Sequence, residues 1–190
     1  MIIKHRHNTG ITAIELLLAI AITAVLASMA VPGFSALLEA HQSRTQQWRW
    51  AGILKTARHQ AITRQRWVTL CPVKDTQCDT DLTRPWVAFF DDNRANAIAS
   101  TTDIIAQMAI PEGTRLVMYQ GVATLPYFRY RASGLSGNLR SLTVCPNGKA
   151  DALSFHFSST HLGHTRFFDD TNGDGLVDRI YQGTRQNIVC

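Results

Sequence analysis

The side chains with the clearest chemical promise stand near the C-terminal end of this 190-residue sequence. In the run Asp170-Thr171-Asn172-Gly173-Asp174-Gly175-Leu176-Val177-Asp178, side-chain oxygens occupy positions 1, 3, 5 and 9, and a glycine occupies position 6. Hard cations take carboxylate, amide and carbonyl oxygens at such alternate positions, so Asp170, Asn172, Asp174, Asp178 and the Leu176 carbonyl are a candidate calcium set. Position 12, where these loops carry a bidentate Glu, is Tyr181, which points to a shortened calcium loop or to a plain polar hairpin turn. Asp91-Asp92-Asn93 offers fewer ligands and reads as a turn. The seven histidines are scattered. None sits in a Ser/His/Asp or paired-carboxylate arrangement, and no glycine-rich phosphate loop is present, so no enzyme is expected. His156 alternates with Phe155 and Phe157, a pattern that predicts the exposed face of a strand.

A second constellation is cationic. Arg44, Arg49, Lys55, Arg58, Arg64 and Arg66 lie between His41 and Arg66 with no acid among them, and Trp48, Trp50 and Trp67 are interleaved. Such a strip reads either as a solvated helix face turned to acidic neighbours, or as a track for DNA phosphate with aromatic stacking on single strands. The overall charge does not choose between them. The net charge is +5, and without Lys4 and Arg6 at the N-terminal tip 17 cations face 14 acids.

The cysteines are Cys71, Cys78, Cys145 and Cys190. They form no Cys-x-x-Cys pair and have no histidine at finger-like spacing, which argues against zinc. An even count behind an export-like N-terminus favours disulfides, with three pairings open. Cys71 and Cys78 close a short loop containing Pro72, which leaves Cys145 for Cys190. In the chain-entropy account these loops restrict the unfolded state by about 2.5 and about 4 kcal/mol. The second would also hold a C-terminus that otherwise frays.

The N-terminal segment must place all of this in a cell. From Ile11 to Val31 the chain is apolar apart from Thr12, Glu15, Thr23 and Ser28. A helix of that length covers the roughly 30 Å hydrocarbon core of a bilayer. A secretory signal cut near Ala30, which would release a soluble domain, has an h-region of about 7–15 residues and no acid. A plain anchor leaves Glu15 unexplained, because a carboxylate inside a membrane costs a few kcal/mol unless it finds a partner.

Gly10-Ile11-Thr12-Ala13-Ile14-Glu15 resembles the class III prepilin signal, G-F-T-L-x-E. The resemblance implies that a prepilin peptidase cuts after Gly10 and methylates the amine of Ile11, so that the apolar helix is retained. Glu15, five residues into the mature chain, would then pair with the N-terminal amine of a neighbouring subunit during assembly. Ile11 replaces the usual Phe and Ala13 the usual Leu, while the glycine on which the cut depends is present.

Beyond Pro32-Gly33, which predicts a kink or change of direction, helix formers resume at Phe34 and run to about Gln65. Leu37, Leu38, Ile53, Leu54, Ala57, Ala61 and Ile62 make an apolar stripe at helical spacing. Then β-rich runs follow at Trp67 to Cys71, Trp86 to Phe90, Thr114 to Tyr119, Tyr127 to Arg131, Leu139 to Cys145 and Leu153 to Phe157. Polar turns separate them, which predicts an antiparallel sheet of about six or seven strands.

Ala57-Arg58, Ala61-Ile62, Arg64, Arg66 and Val68-Thr69-Leu70-Cys71-Pro72, followed by Trp86 to Asn93 (WVAFFDDN), resemble the GspH/FimT branch of minor pilins and pseudopilins. Cys-Pro favours the FimT side. Some FimT-like proteins bind DNA through a C-terminal G-R-x-R loop. Gly163-His164-Thr165-Arg166 is the match, with Arg166 in place and His164 standing for the first arginine, charged only at acidic pH. Arg58, Arg64, Arg66, Arg179 and Arg185 are further candidate DNA contacts.

The resemblance implies an α+β, type IV pilin-like fold. Residues 1–10 would be the leader, 11–31 the transmembrane half of a long helix, 32–66 its basic amphipathic half, and 67–190 a β-rich periplasmic head with two disulfides. The expected function is that of an inner-membrane minor pilin that assembles with other pilins in a type IV pilus. That role supports biogenesis, twitching and DNA uptake. The alternatives are a type II secretion pseudopilin and a pilus-tip DNA receptor.

Overall fold

The computed structural model describes residues 12–119, 125–148, 150–181 and 183–190. Gly10, Ile11 and the expected leader lie outside the described residues. The chain divides into two units, residues 1–41 and 42–190. A single helix, α1 (Ala13–Arg64), contributes to both and is continuous across Pro32 and Gly33.

Apolar side chains described in the first unit are exposed, Ile14 at 76% and Leu17 at 67%. Among the described residues no helix is long and apolar enough to cross a membrane.

In the second unit the apolar stripe does what its spacing predicts. Ile53, Leu54, Ala57 and Ala61 are buried and Ile62 is half-buried, with Trp50 joining them outside the expected stripe, whereas Leu37 and Leu38, read as part of that stripe, are exposed. Ala57 and Ala61 are fully buried and share one core with residues of strands β1 (Val68–Lys74), β3 (Trp86–Phe90) and β6 (Phe128–Tyr130). Trp50 meets Trp86 edge-on, with ring centroids 5.0 Å apart. Each large side chain buried here stabilises the unit by about 1.5–3 kcal/mol.

The strands form three antiparallel sheets. In the first, β1 lies between β3 and β6, β4 (Ile104–Met108) extends β3, and β2 (Gln77–Cys78) folds back on the end of β1. The second runs β5 (Arg115–Tyr119), β7 (Ser141–Cys145), β8 (Phe155–Ser159), β9 (Thr165–Phe168). The third is a hairpin of β10 (Asp178–Tyr181) and β11 (Thr184–Asn187). The six expected strands are present, but they do not make one sheet: β6 pairs with β1 rather than β7, and β2, β4, β9, β10 and β11 are additional.

Both disulfides join the partners that loop size suggested, Cys71 with Cys78 and Cys145 with Cys190. The second ties the chain end to β7 and lays the C-terminal segment over the outer face of the second sheet. There Tyr119 bonds Val189 and carries the Arg179 guanidinium 4.0 Å above its ring.

Candidate functional site

Glu15 begins from a local rule. Thr12 precedes the first helical residue, and Thr-x-x-Glu is a capping box. The Glu15 carboxylate accepts the Thr12 N–H and the Thr12 hydroxyl at 2.9 Å each, and the Thr12 hydroxyl accepts the Glu15 N–H at 3.3 Å. The acid therefore has a partner within its own chain, besides the one in a neighbouring subunit that the prepilin resemblance implies.

The cations do not act as one strip. Arg58 lies against the loops that face the helix, donating from Nε to the Gly134 carbonyl at 3.0 Å and from Nη2 to the Leu162 carbonyl at 3.3 Å. Arg66 is held by Asp92 at 2.7 Å and Asp103 at 3.1 Å and stacks over Phe90. Arg44, Arg49, Lys55 and Arg64 are exposed.

In the Gly163–Arg166 loop, pairing of β9 with β8 puts Ser159 opposite Thr165, Ser158 opposite Arg166 and Phe157 opposite Phe167. Phe157 and Phe167 belong to the core under α1, so Arg166 points to the other face of the sheet. His164 borders the same groove as Lys55 and Arg58. Arg179 and Arg185 lie on the C-terminal hairpin, where Arg179 donates to Gln186 at 2.9 Å and Arg185 sits 3.6 Å from Asp178. The seven candidate DNA contacts thus fall into four places: Arg58 with His164 at the groove, Arg64 with Arg66 at the helix end, Arg166 on β9, and Arg179 with Arg185 on the hairpin.

The candidate calcium loop has a different geometry from the one its spacing suggests. Asp170 accepts the N–H groups of Gly173 and Gly175 at 2.7 and 2.8 Å, and Asp174 accepts the Leu176 N–H at 2.9 Å and the Asn187 amide at 2.7 Å. The Leu176 N–H, then Asn187 and Asn172, hold the Asp174 carboxyl below its usual range. Asp178 is buried and accepts from the Thr171 N–H at 3.0 Å and from its hydroxyl. Asn172 accepts the Asp174 N–H at 3.1 Å. Asn172 and Asp174 make Asx turns with the N–H two residues on, and Asp170 and Asp178 close the loop over longer spans. Among the described residues no three His, Cys, Asp or Glu side chains converge on a metal position. Asp170, Asn172, Asp174, Leu176 and Asp178 form a hydrogen-bonded polar turn, one of the two readings that the spacing allowed.

The reading of His156 is corrected. It is 3% exposed, not on an open face, because the C-terminal segment covers that side of β8. Its Nδ1 shares a hydrogen bond with the Thr143 hydroxyl at 2.8 Å, and Tyr119 and Phe168 flank the ring. Burial, reinforced by the nearby Arg179 charge, pushes its pKa down from 6.5 to about 4. The folded protein keeps this ring neutral while the unfolded chain binds a proton, so stability falls as the pH drops from about 6.5 towards about 4. At about 1.4 kcal/mol per pKa unit the full loss is about 3 kcal/mol. Denaturant midpoints at neutral and acidic pH should converge for wild type and His156→Gln at low pH. Parallel curves would contradict the assignment.

The pairing that sequence reasoning missed is buried. Asp91 accepts from Arg129 Nη2 at 2.9 Å and from the Thr69 hydroxyl at 2.7 Å, and Asn96 accepts from the same guanidinium at 2.6 Å. Asp92 accepts from Arg66 and from the Trp67 N–H at 3.1 Å. The acidic pair after β3 therefore ties the start of β1 to β6. The signal available was an arginine at the centre of an otherwise apolar strand, Phe128-Arg129-Tyr130.

With this geometry in hand, comparison with known proteins is specific. A family model described as type II transport protein GspH matches residues 49–160, more than half of the chain. The fold is similar to that of the type IV minor pilin FimU of Pseudomonas aeruginosa, at 15% identity over 67% of this chain and 88% of that one, with a TM-score of 0.53. The minor pseudopilin EpsH of the Vibrio cholerae type 2 secretion system matches at 15% identity over 66% of this chain and 94% of that one, with a TM-score of 0.48. No curated protein matches the chain.

Proposed function

Because the chain belongs to the GspH family of type IV pilin-like proteins, we propose that it works by assembly rather than catalysis, as a minor pilin of a type IV pilus. In this reading a prepilin peptidase cuts after Gly10 and methylates Ile11. Residues 11–31 hold the protein in the inner membrane with its head in the periplasm, and the helix packs with those of other pilins. The Cys71-Pro72 context favours the pilus over a secretion pseudopilus. Biogenesis and twitching motility are the processes served.

The observation that carries the reading is Glu15, the one acid in the run from Ile11 to Val31. The capping box holds the Glu15 carboxylate against Thr12, the residue that follows the proposed new N-terminus in sequence. Pairing with the amine of a neighbour would give both charges a partner in a medium that tolerates neither alone. Glu15→Ala should leave membrane insertion intact and deplete the protein from the sheared filament fraction, detected by immunoblot. Thr12→Ala removes the cap and leaves the carboxylate, so it should retain incorporation. Equal depletion in both variants would assign Glu15 to the cap alone.

A second reading, DNA uptake in natural transformation, is supported by the exposure of Arg166 on β9 and by His164 beside Lys55 and Arg58. The dispersal of the remaining cations makes it the weaker of the two.

A further inference from the structure

Strand β9 ends its sheet; among the described residues it pairs with β8 and with no other strand. Unpaired strand edges present rows of backbone donors and acceptors, which proteins ordinarily cover, charge or use. Between this edge and α1 runs a groove of about 400 Å³, with Ala51, Leu54 and Phe167 as apolar lining and Lys55, Arg58 and His164 as polar neighbours. A second hollow of about 170 Å³, bordered by Gln47 and Trp48, shares Ala51 and Phe167 with it. Trp48 is 76% exposed at its rim. No carboxylate lines either hollow. The Tyr130 hydroxyl is buried beside Thr165 but outside hydrogen-bonding geometry.

The two faces of the edge differ in a regular way. Thr165 and Phe167 look toward the helix and the groove, whereas Arg166 looks out on the opposite face, its guanidinium 5.2 Å from the Phe168 ring. A strand added to β9 would meet an apolar surface on one side and a cation on the other. We propose that this groove receives an extended segment of a partner subunit in which apolar and acidic residues alternate. Its main chain would pair with β9, its apolar side chains would enter the hollows at Ala51 and Phe167, and its acids would face Arg166, with a flanking acid at Lys55.

Main-chain pairing supplies affinity in such strand addition, alternate side-chain pockets supply specificity, and charge complementarity speeds encounter. A peptide suits the site better than a nucleic acid strand, because the cations are split between two faces and form no continuous track for phosphates. The proposal rests on the assembly reading only for the source of the segment. Peptide titration reads the groove itself, so its failure would leave that reading standing.

The test is titration of the full chain in detergent with a fluorescent hexapeptide, acetyl-Asp-Leu-Asp-Phe-Asp-Leu-amide, followed by anisotropy. Binding should weaken about tenfold or more, a change of about 1.4 kcal/mol, when Lys replaces Asp in the peptide or when the same residues are arranged in blocks. Ala51→Trp, which fills the groove, and Arg166→Glu, at an exposed position, should each cause a similar loss. Retention of the wild-type melting temperature by Arg166→Glu shows that the loss is not unfolding. Absent peptide binding, or equal binding of the block and alternating peptides, would overturn the proposal. So would binding of a short oligothymidylate that the same two substitutions abolish, since the groove would then be a nucleic acid site.

Discussion

Asp91→Ala is expected to destabilise the head by about 3–5 kcal/mol, because it strands the Arg129 guanidinium in a site that is almost closed to water. The Asp91 side chain is fully buried and that of Arg129 is 9% exposed. One carboxylate oxygen collects the Arg129 Nη2, the Thr69 hydroxyl and the Asn96 N–H, so a single truncation unsatisfies three donors at once. Replacing both charges by apolar groups of similar volume removes the cost along with the attraction, so Asp91→Leu with Arg129→Met should recover most of the loss. Thermal melting of the full chain in detergent should show a drop of roughly 10 °C for the single variant. A drop within the scatter of surface substitutions would mean that the pair is not closed to water as described.

Gly163→Ala carries the second large effect. The residue has φ +76°, a region L side chains rarely adopt, and a Cβ built there would lie 2.0 Å from the Gly134 carbonyl oxygen and 2.9 Å from Arg58 Nε. Backbone must therefore move, and the move takes with it the two carbonyls that Arg58 holds. The expected cost is about 3 kcal/mol or more, against about 1 kcal/mol for a left-handed position in open space. Gly173, with φ +79° and no atom within 4 Å of where a Cβ would stand, is such a position. Gly173→Ala is thus the control, and the difference between the two variants measures the close approach. Equal melting temperatures would refute it. The result also bears on the loop's glycine: the resemblance assigns it to a DNA-binding motif, yet here packing against Arg58 and Gly134 already requires it.

What could be read in advance follows from how far each signal reaches along the chain. The helix stripe from Ile53 to Ile62 and the six strands rest on short-range periodicity, and they are present in the structure. The Thr12–Glu15 box is equally local and is legible as Thr-x-x-Glu, although the same acid also fits the prepilin signal, which points to a partner in another subunit.

The face of His156 could not be read locally. Alternation says that Phe155 and His156 point opposite ways, but not that the chain's last residues return to cover the second face. The Asp91–Arg129 pair spans 38 residues, and nothing in either neighbourhood names the other. The dispersal of the seven candidate DNA contacts was hidden for the same reason. Their spacing along one helix and two loops does not encode that pairing in β8 and β9 sends Arg166 to the face opposite Arg58.

The central claim, assembly as a processed pilin-like subunit, is tested most directly by the mass of the N-terminal peptide of the protein recovered from membranes. The account predicts a peptide that begins at Ile11, carries one added methyl group on its amine and retains Glu15. A peptide beginning near Val31, or one that still contains Gly10, would contradict it.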